Sequence, residues 1–199
     1  MVDTIKLSIA FMVAIFSLFI TLYAIATPPD NQQSQIEQKK VSPAYSRSEL
    51  QALFKDVKER SFTDISETTE LIFEDMYALG YASPFSLNVF IDINRINSYQ
   101  WPRDALVGLF SHELAHMVSY HRRSLLDRIS FIWNYYFSKA ARRKVEHEAD
   151  RIAIERGYGE ELVLIRTLAI RDYGEERVER MRGVYYWPET LESIISSIQ

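Results

Sequence analysis

The sequence predicts a predominantly helical α+β domain behind one N-terminal transmembrane helix, and three features carry that expectation. Apolar residues recur at helical spacing over most of the chain after residue 46. One stretch, Leu87 to Asn94, alternates apolar and polar positions, and Ile5 to Ala26 is almost wholly apolar. With 199 residues, 47% hydrophobic and 25% charged, the chain has room for one domain with its own core. A net charge of −4 and the lack of any basic nucleic-acid-binding fingerprint argue against a nucleic-acid partner. Without cysteine, a disulfide framework, a thiol metal site and a lipoprotein anchor are all excluded.

The elements follow in chain order. About twenty apolar residues cross a hydrocarbon core, so residues 1–26 are expected to form a single-pass signal anchor held in membrane lipid. Ala24-Ile25-Ala26 also has the small-x-small form of a signal-peptidase site, and cleavage there would give a secreted protein. Lys6 lies on one side of the span and Lys39 and Lys40 lie farther off on the other. The expected orientation puts the amino terminus inside the cell and the domain outside, with a cytoplasmic-facing domain as the alternative. Residues 27–45 are rich in Pro, Gln, Asn, Ser and Lys and read as a solvated tether, which leaves 46–199 as the folded domain. Ser46 with Glu49 forms a capping-box signal, and Leu50, Leu53, Phe54 and Val57 follow at helical spacing. A second helix is expected from Asp64 to Leu79 with Gly80 as its stop, and then the strand, in which Leu87, Val89, Ile91 and Ile93 share one face. Pro102 suits the first turn of the next helix.

That helix carries His112-Glu113-Leu114-Ala115-His116. Residues four apart on a helix lie nearly above one another, so two imidazoles can aim at one metal ion while Glu113 stands beside them as a general base. Leu106, Leu109, Phe110, Leu114, Met117 and Val118 form an apolar stripe next to the histidines. A carboxylate at the inner margin of that stripe is costly without a cation. A further helix is expected from Lys139 to Arg156, stopped by Gly157. On it Glu146 and Asp150 share a face, and Ala149 and Ala153 permit close approach to the histidine helix. Two histidines and a glutamate leave a fourth position open on zinc, the arrangement of a catalytic site.

His112-Glu113-x-x-His116 with Glu146-x-x-Ala149-Asp150 resembles the gluzincin metallopeptidases, especially the membrane proteases of the CAAX prenyl protease and HtpX type. The resemblance covers residues 103–157 and implies a zincin-like fold with an active-site helix, a glutamate helix and a sheet edge. It makes His112, His116 and Glu146 the ligands of one Zn2+, Glu113 the base, and Asp150 the support of a ligand histidine. It also implies that the strand upstream of the histidine helix is the edge against which an extended substrate pairs; a half-buried strand with no substrate role is the alternative. The chain departs from that group in having one apparent span and a short stretch between His116 and Glu146.

The insert between the motifs is basic and aromatic: Arg122 and Arg123, then Phe131, Trp133, Tyr135, Tyr136 and Phe137, then Lys139, Arg142, Arg143 and Lys144. Residues 122–144 could lie at a lipid interface or pack as an ordinary helix with a solvated cationic rim. Helices are expected at Gly159 to Asp172, Glu175 to Arg182 and from Pro188 to Ile198. His121, His147 and Tyr158 receive no catalytic role. The function expected from these residues is zinc-dependent hydrolysis of a peptide or protein substrate, with water activated by Glu113. The alternatives are a tethered module that zinc merely holds together, and a zinc hydrolase of a non-peptide amide or ester.

Overall fold

A computed structural model describes residues 44–76 and 78–198. Helix α1, Arg47–Ser61, starts where the capping box places it: the Ser46 hydroxyl accepts from the Glu49 N–H at 3.2 Å, and the Glu49 carboxylate accepts from the Ser46 N–H at 2.8 Å. Its buried face is Leu50, Leu53, Phe54 and Val57.

Three short strands, β1 (Leu71–Phe73), β2 (Gly80–Ala82) and β3 (Val89–Ile91), form one sheet in the order β1-β3-β2. β3 runs parallel to β1 and antiparallel to β2. This corrects the helix expected from Asp64 to Leu79. The segment is instead held open by Lys58, whose ammonium donates to the carbonyls of Glu67 and Thr69, both at 2.8 Å, and the apolar run Leu71-Ile72-Phe73 pairs with β3. The strand upstream of the histidine helix is also corrected. Leu87 sits at φ 56°, outside any strand conformation, and the Asp92 carboxylate caps α2 (Ile93–Tyr99) by accepting from the Arg95 N–H at 3.0 Å. What remains is three residues in the middle of the sheet, so β3 cannot be the edge for a substrate; among the described residues, β2 is an edge.

Helix α3, Arg103–His121, runs through the centre of the domain, with every residue from Ala105 to Tyr120 buried. Its start is fixed by Trp101, fully buried, whose indole N–H donates to Asp172 at 2.7 Å. Around it pack α5 (Lys139–Glu155), α6 (Gly159–Asp172), α1 and β2. The contact between α3 and α6 is the most extensive and passes over Gly108, where a methyl group would lie 2.3 Å from the Glu161 carbonyl oxygen. The insert folds as α4 (Leu125–Phe137), capped by Ser124 and Asp127; it packs on α5, turns Ile132 inward and leaves Leu126 and Trp133 exposed. Gly157, at φ 91°, ends α5 as expected, and α7 (Glu175–Arg182) and α8 (Pro188–Ile198) complete the fold.

The expectation of a single-pass membrane protein is corrected. Among the described residues no helix is long and apolar enough to cross a membrane. The longest described helix, α3 with 19 residues, carries Arg103, Asp104 and Glu113 and is enclosed by protein. The apolar run Ile5 to Ala26 and nearly all of the tether lie outside the described residues.

Candidate metal centre

The two motif helices cross so that three ligand atoms form a small triangle. His112 Nε2 lies 3.0 Å from Glu146 Oε2, His116 Nε2 lies 3.4 Å from the same oxygen, and the two imidazole nitrogens are 3.2 Å apart. Zinc–nitrogen bonds of about 2.0–2.1 Å place neighbouring corners of a tetrahedron about 3.3–3.4 Å apart. The triangle therefore has the size of one face of a zinc tetrahedron. The small Ala149 and Ala153, both buried, let α5 approach α3 closely enough for this.

Protonation points the same way. Asp150, fully buried, lies 2.8 Å from His112 Nδ1; a carboxylate can only accept, so Nδ1 donates and the neutral ring turns a bare Nε2 toward Glu146. Lone pairs from His112 Nε2 and the Glu146 carboxylate thus face each other, and a proton or a metal ion has to stand between them. Burial pushes the His112 pKa down, but the bonds to Asp150 and Glu146 outweigh it and raise it to about 10, so without metal a proton takes that place. Burial likewise pushes Glu146 up, and the two histidines overturn this and hold its carboxyl well below the usual carboxylate range. Its second oxygen, Oε1, accepts a short hydrogen bond from the Tyr135 hydroxyl of α4.

Behind Asp150 stands Arg166 of α6, whose guanidinium donates to Oδ1 at 3.1 Å. Burial raises the Asp150 pKa, and Arg166 and His112 more than offset this and keep it ionised. Arg166 also lies 4.3 Å from the centre of the Tyr185 ring. A relay from Arg166 through Asp150 to His112 therefore fixes one ligand. Asp150→Asn leaves the buried guanidinium without its counter-charge, and the affinity for a divalent metal ion added to the protein, measured by chelator competition, is expected to fall roughly ten- to a hundredfold.

Glu113 is buried beside the triangle, and its pKa is raised by burial, with the histidines and the Ala82 N–H of β2 acting in the opposite direction. The remaining polar groups near the motifs have other partners. His121 Nδ1 lies 2.9 Å from the Met117 carbonyl and its Nε2 accepts from the Ser66 N–H; His147 stacks on Tyr186; the Tyr158 hydroxyl donates to Ser61. The sequence reading missed Arg166, Tyr135, Tyr120 and Tyr185. Of these only Arg166 had a signal, a lone cation among Leu162, Ile165 and Ala169 on the buried side of α6.

Compared with known proteins, the chain matches no protein-family model, no curated protein and no solved structure. The group His112, His116 and Glu146 is a site able to hold a metal ion, and by itself it identifies neither the metal nor a family.

Proposed function

We propose that the chain is a zinc-dependent peptidase of the gluzincin type. The observation that supports this best is the convergence of His112, His116 and Glu146 on one point, with Glu113 buried next to them. Among the described residues the metal-capable group has three members, whereas a structural zinc is normally closed by four. That favours a site with room for water and substrate over a zinc that merely ties two helices.

Zinc held there would act as a Lewis acid at the scissile carbonyl and lower the pKa of a water in its open position. Glu113 takes the proton from that water and returns it to the leaving amine. Burial, by pushing the Glu113 carboxyl up, brings its proton affinity closer to what both transfers require. Asp150 and Arg166 hold His112 in the tautomer that presents Nε2. The β2 edge, whose Ala82 N–H acts on Glu113, offers backbone groups to an extended chain, which favours a peptide over a small ester.

The test is digestion of casein by the full chain with one equivalent of zinc. Cleavage is expected, to stop when a chelator removes the ion and to resume when zinc is restored. A chain that binds zinc and leaves casein intact would overturn the proposal.

A further inference from the structure

Resting on the reading of this site as a metal centre for hydrolysis, we propose that Tyr135 is a positioning residue. Its hydroxyl occupies one carboxylate oxygen of Glu146, so that Glu146 holds a metal ion through the other oxygen alone.

A carboxylate can bind a cation through one oxygen or through both. The difference decides what two histidines and one glutamate can do. Three ligands that give one atom each leave the fourth corner of a zinc tetrahedron to water, whereas a second carboxylate oxygen competes for that corner.

The two oxygens of Glu146 face different partners. Oε2 lies 3.0 Å from His112 Nε2 and 3.4 Å from His116 Nε2, while Oε1 accepts from the Tyr135 hydroxyl at 2.5 Å. Glu146 is buried, so it is the phenol and not bulk water that satisfies Oε1.

The fold fixes the phenol from three helices. Tyr135 and Glu146 come from α4 and α5, which are joined by Ser138 alone. Ser138 ends α4 by donating its N–H to the Asn134 carbonyl at 2.9 Å, and it starts α5 by accepting from the Ala141 N–H at 3.2 Å. Arg142 of α5 clamps the junction: it donates to the Tyr135 and Tyr136 carbonyls, both at 3.3 Å, and its guanidinium lies 5.3 Å from the centre of the Tyr135 ring. Phe131, one turn earlier on α4, stacks on Tyr135 at 6.5 Å and meets Tyr120 of α3 edge-on at 5.4 Å. The segment between the two motifs thereby sets how the Glu146 ligand is presented.

The experiment loads the full chain with Co2+, whose visible bands are strong in a four-coordinate site and weak in a five- or six-coordinate one. Wild type is expected to give the strong bands. In Tyr135→Phe the released Oε1 becomes a further ligand atom, so the bands are expected to weaken about twofold or more. Co2+ affinity should be at least that of wild type, and the thermal midpoint should not change. With zinc in place of Co2+, kcat on a fluorogenic peptide is expected to fall about 10–100-fold. Tyr136→Phe, which removes the hydroxyl of the next residue on α4, is expected to match wild type in every measurement. Weak bands in wild type, or bands in Tyr135→Phe as strong as those of wild type, would overturn the assignment. So would a Tyr135→Phe protein that loses Co2+ affinity or thermal stability, because the hydroxyl would then be supporting the fold. Bands that behave as expected in a wild type that cleaves no peptide would overturn the peptidase reading and leave the assignment of Tyr135 standing.

Discussion

Glu113→Gln is expected to bind one zinc ion as wild type does and to hydrolyse peptides about 10²–10⁴-fold more slowly. Glutamine has nearly the same shape, so α3 keeps its packing and both histidines keep their positions. Glu113 does not belong to the metal-capable group, and losing a buried carboxyl with a raised pKa removes an electrostatic cost from the fold. What disappears is the buried carboxyl beside the triangle to which the proposed function gives the proton transfer. Zinc content of the purified protein, measured beside the rate on a fluorogenic peptide, checks both halves. Cleavage at the wild-type rate would eliminate Glu113 as the base.

The largest effect on stability is expected at Gly108. A methyl group there would lie 2.3 Å from the Glu161 carbonyl oxygen, 2.7 Å from its carbon and 3.1 Å from an Ile165 methyl. Two of these neighbours are backbone atoms of α6, so relief requires the helix to shift rather than a side chain to turn. Overpacking of this kind costs about 1–3 kcal/mol and sometimes more, and Gly108→Ala is expected at or above the top of that range. At roughly 2–4 °C per kcal/mol for a domain of this size, the thermal midpoint should fall by about 6–12 °C. Arg166 sits on the shifted helix one residue after Ile165, so zinc affinity should weaken as well. Calorimetry and chelator competition read the two effects, and an unchanged midpoint would show that the helices can separate at little cost.

Where sequence signals were local, they located structure well. Ser46 and Glu49 close the capping box that starts α1, and Gly157 in the left-handed region ends α5. The helices from Gly159 to Asp172 and from Glu175 to Arg182 stand within the limits read from caps and spacing. Spacing paired His112 with His116 and Glu146 with Asp150, each on one helix face, and the packing of α5 on α3 brings the two pairs together. The segment from Asp64 to Leu79 failed because its fate depends on distant partners, the Lys58 ammonium and the β3 backbone. Helix α3 was read as having one apolar stripe, yet it is buried all round, because Gly108, Ser111, Ala115 and Ser119 on its other sides are small enough to be covered. The absence of charge between Asp104 and His121, apart from Glu113, was the readable sign of this. Tyr135 and Tyr185 join the site only through the folds of α4 and the turn after α7, which no spacing rule connects to His112.

The chain Arg166, Asp150, His112, Glu146 alternates in sign when His112 carries its proton, so a metal-free interior is electrically neutral along that line. A divalent cation held by His112, His116 and Glu146 would take the place of the imidazole proton on His112. Charge balance along this buried line is thus met by side chains alone, so the fold does not need an ion to offset the two carboxylates.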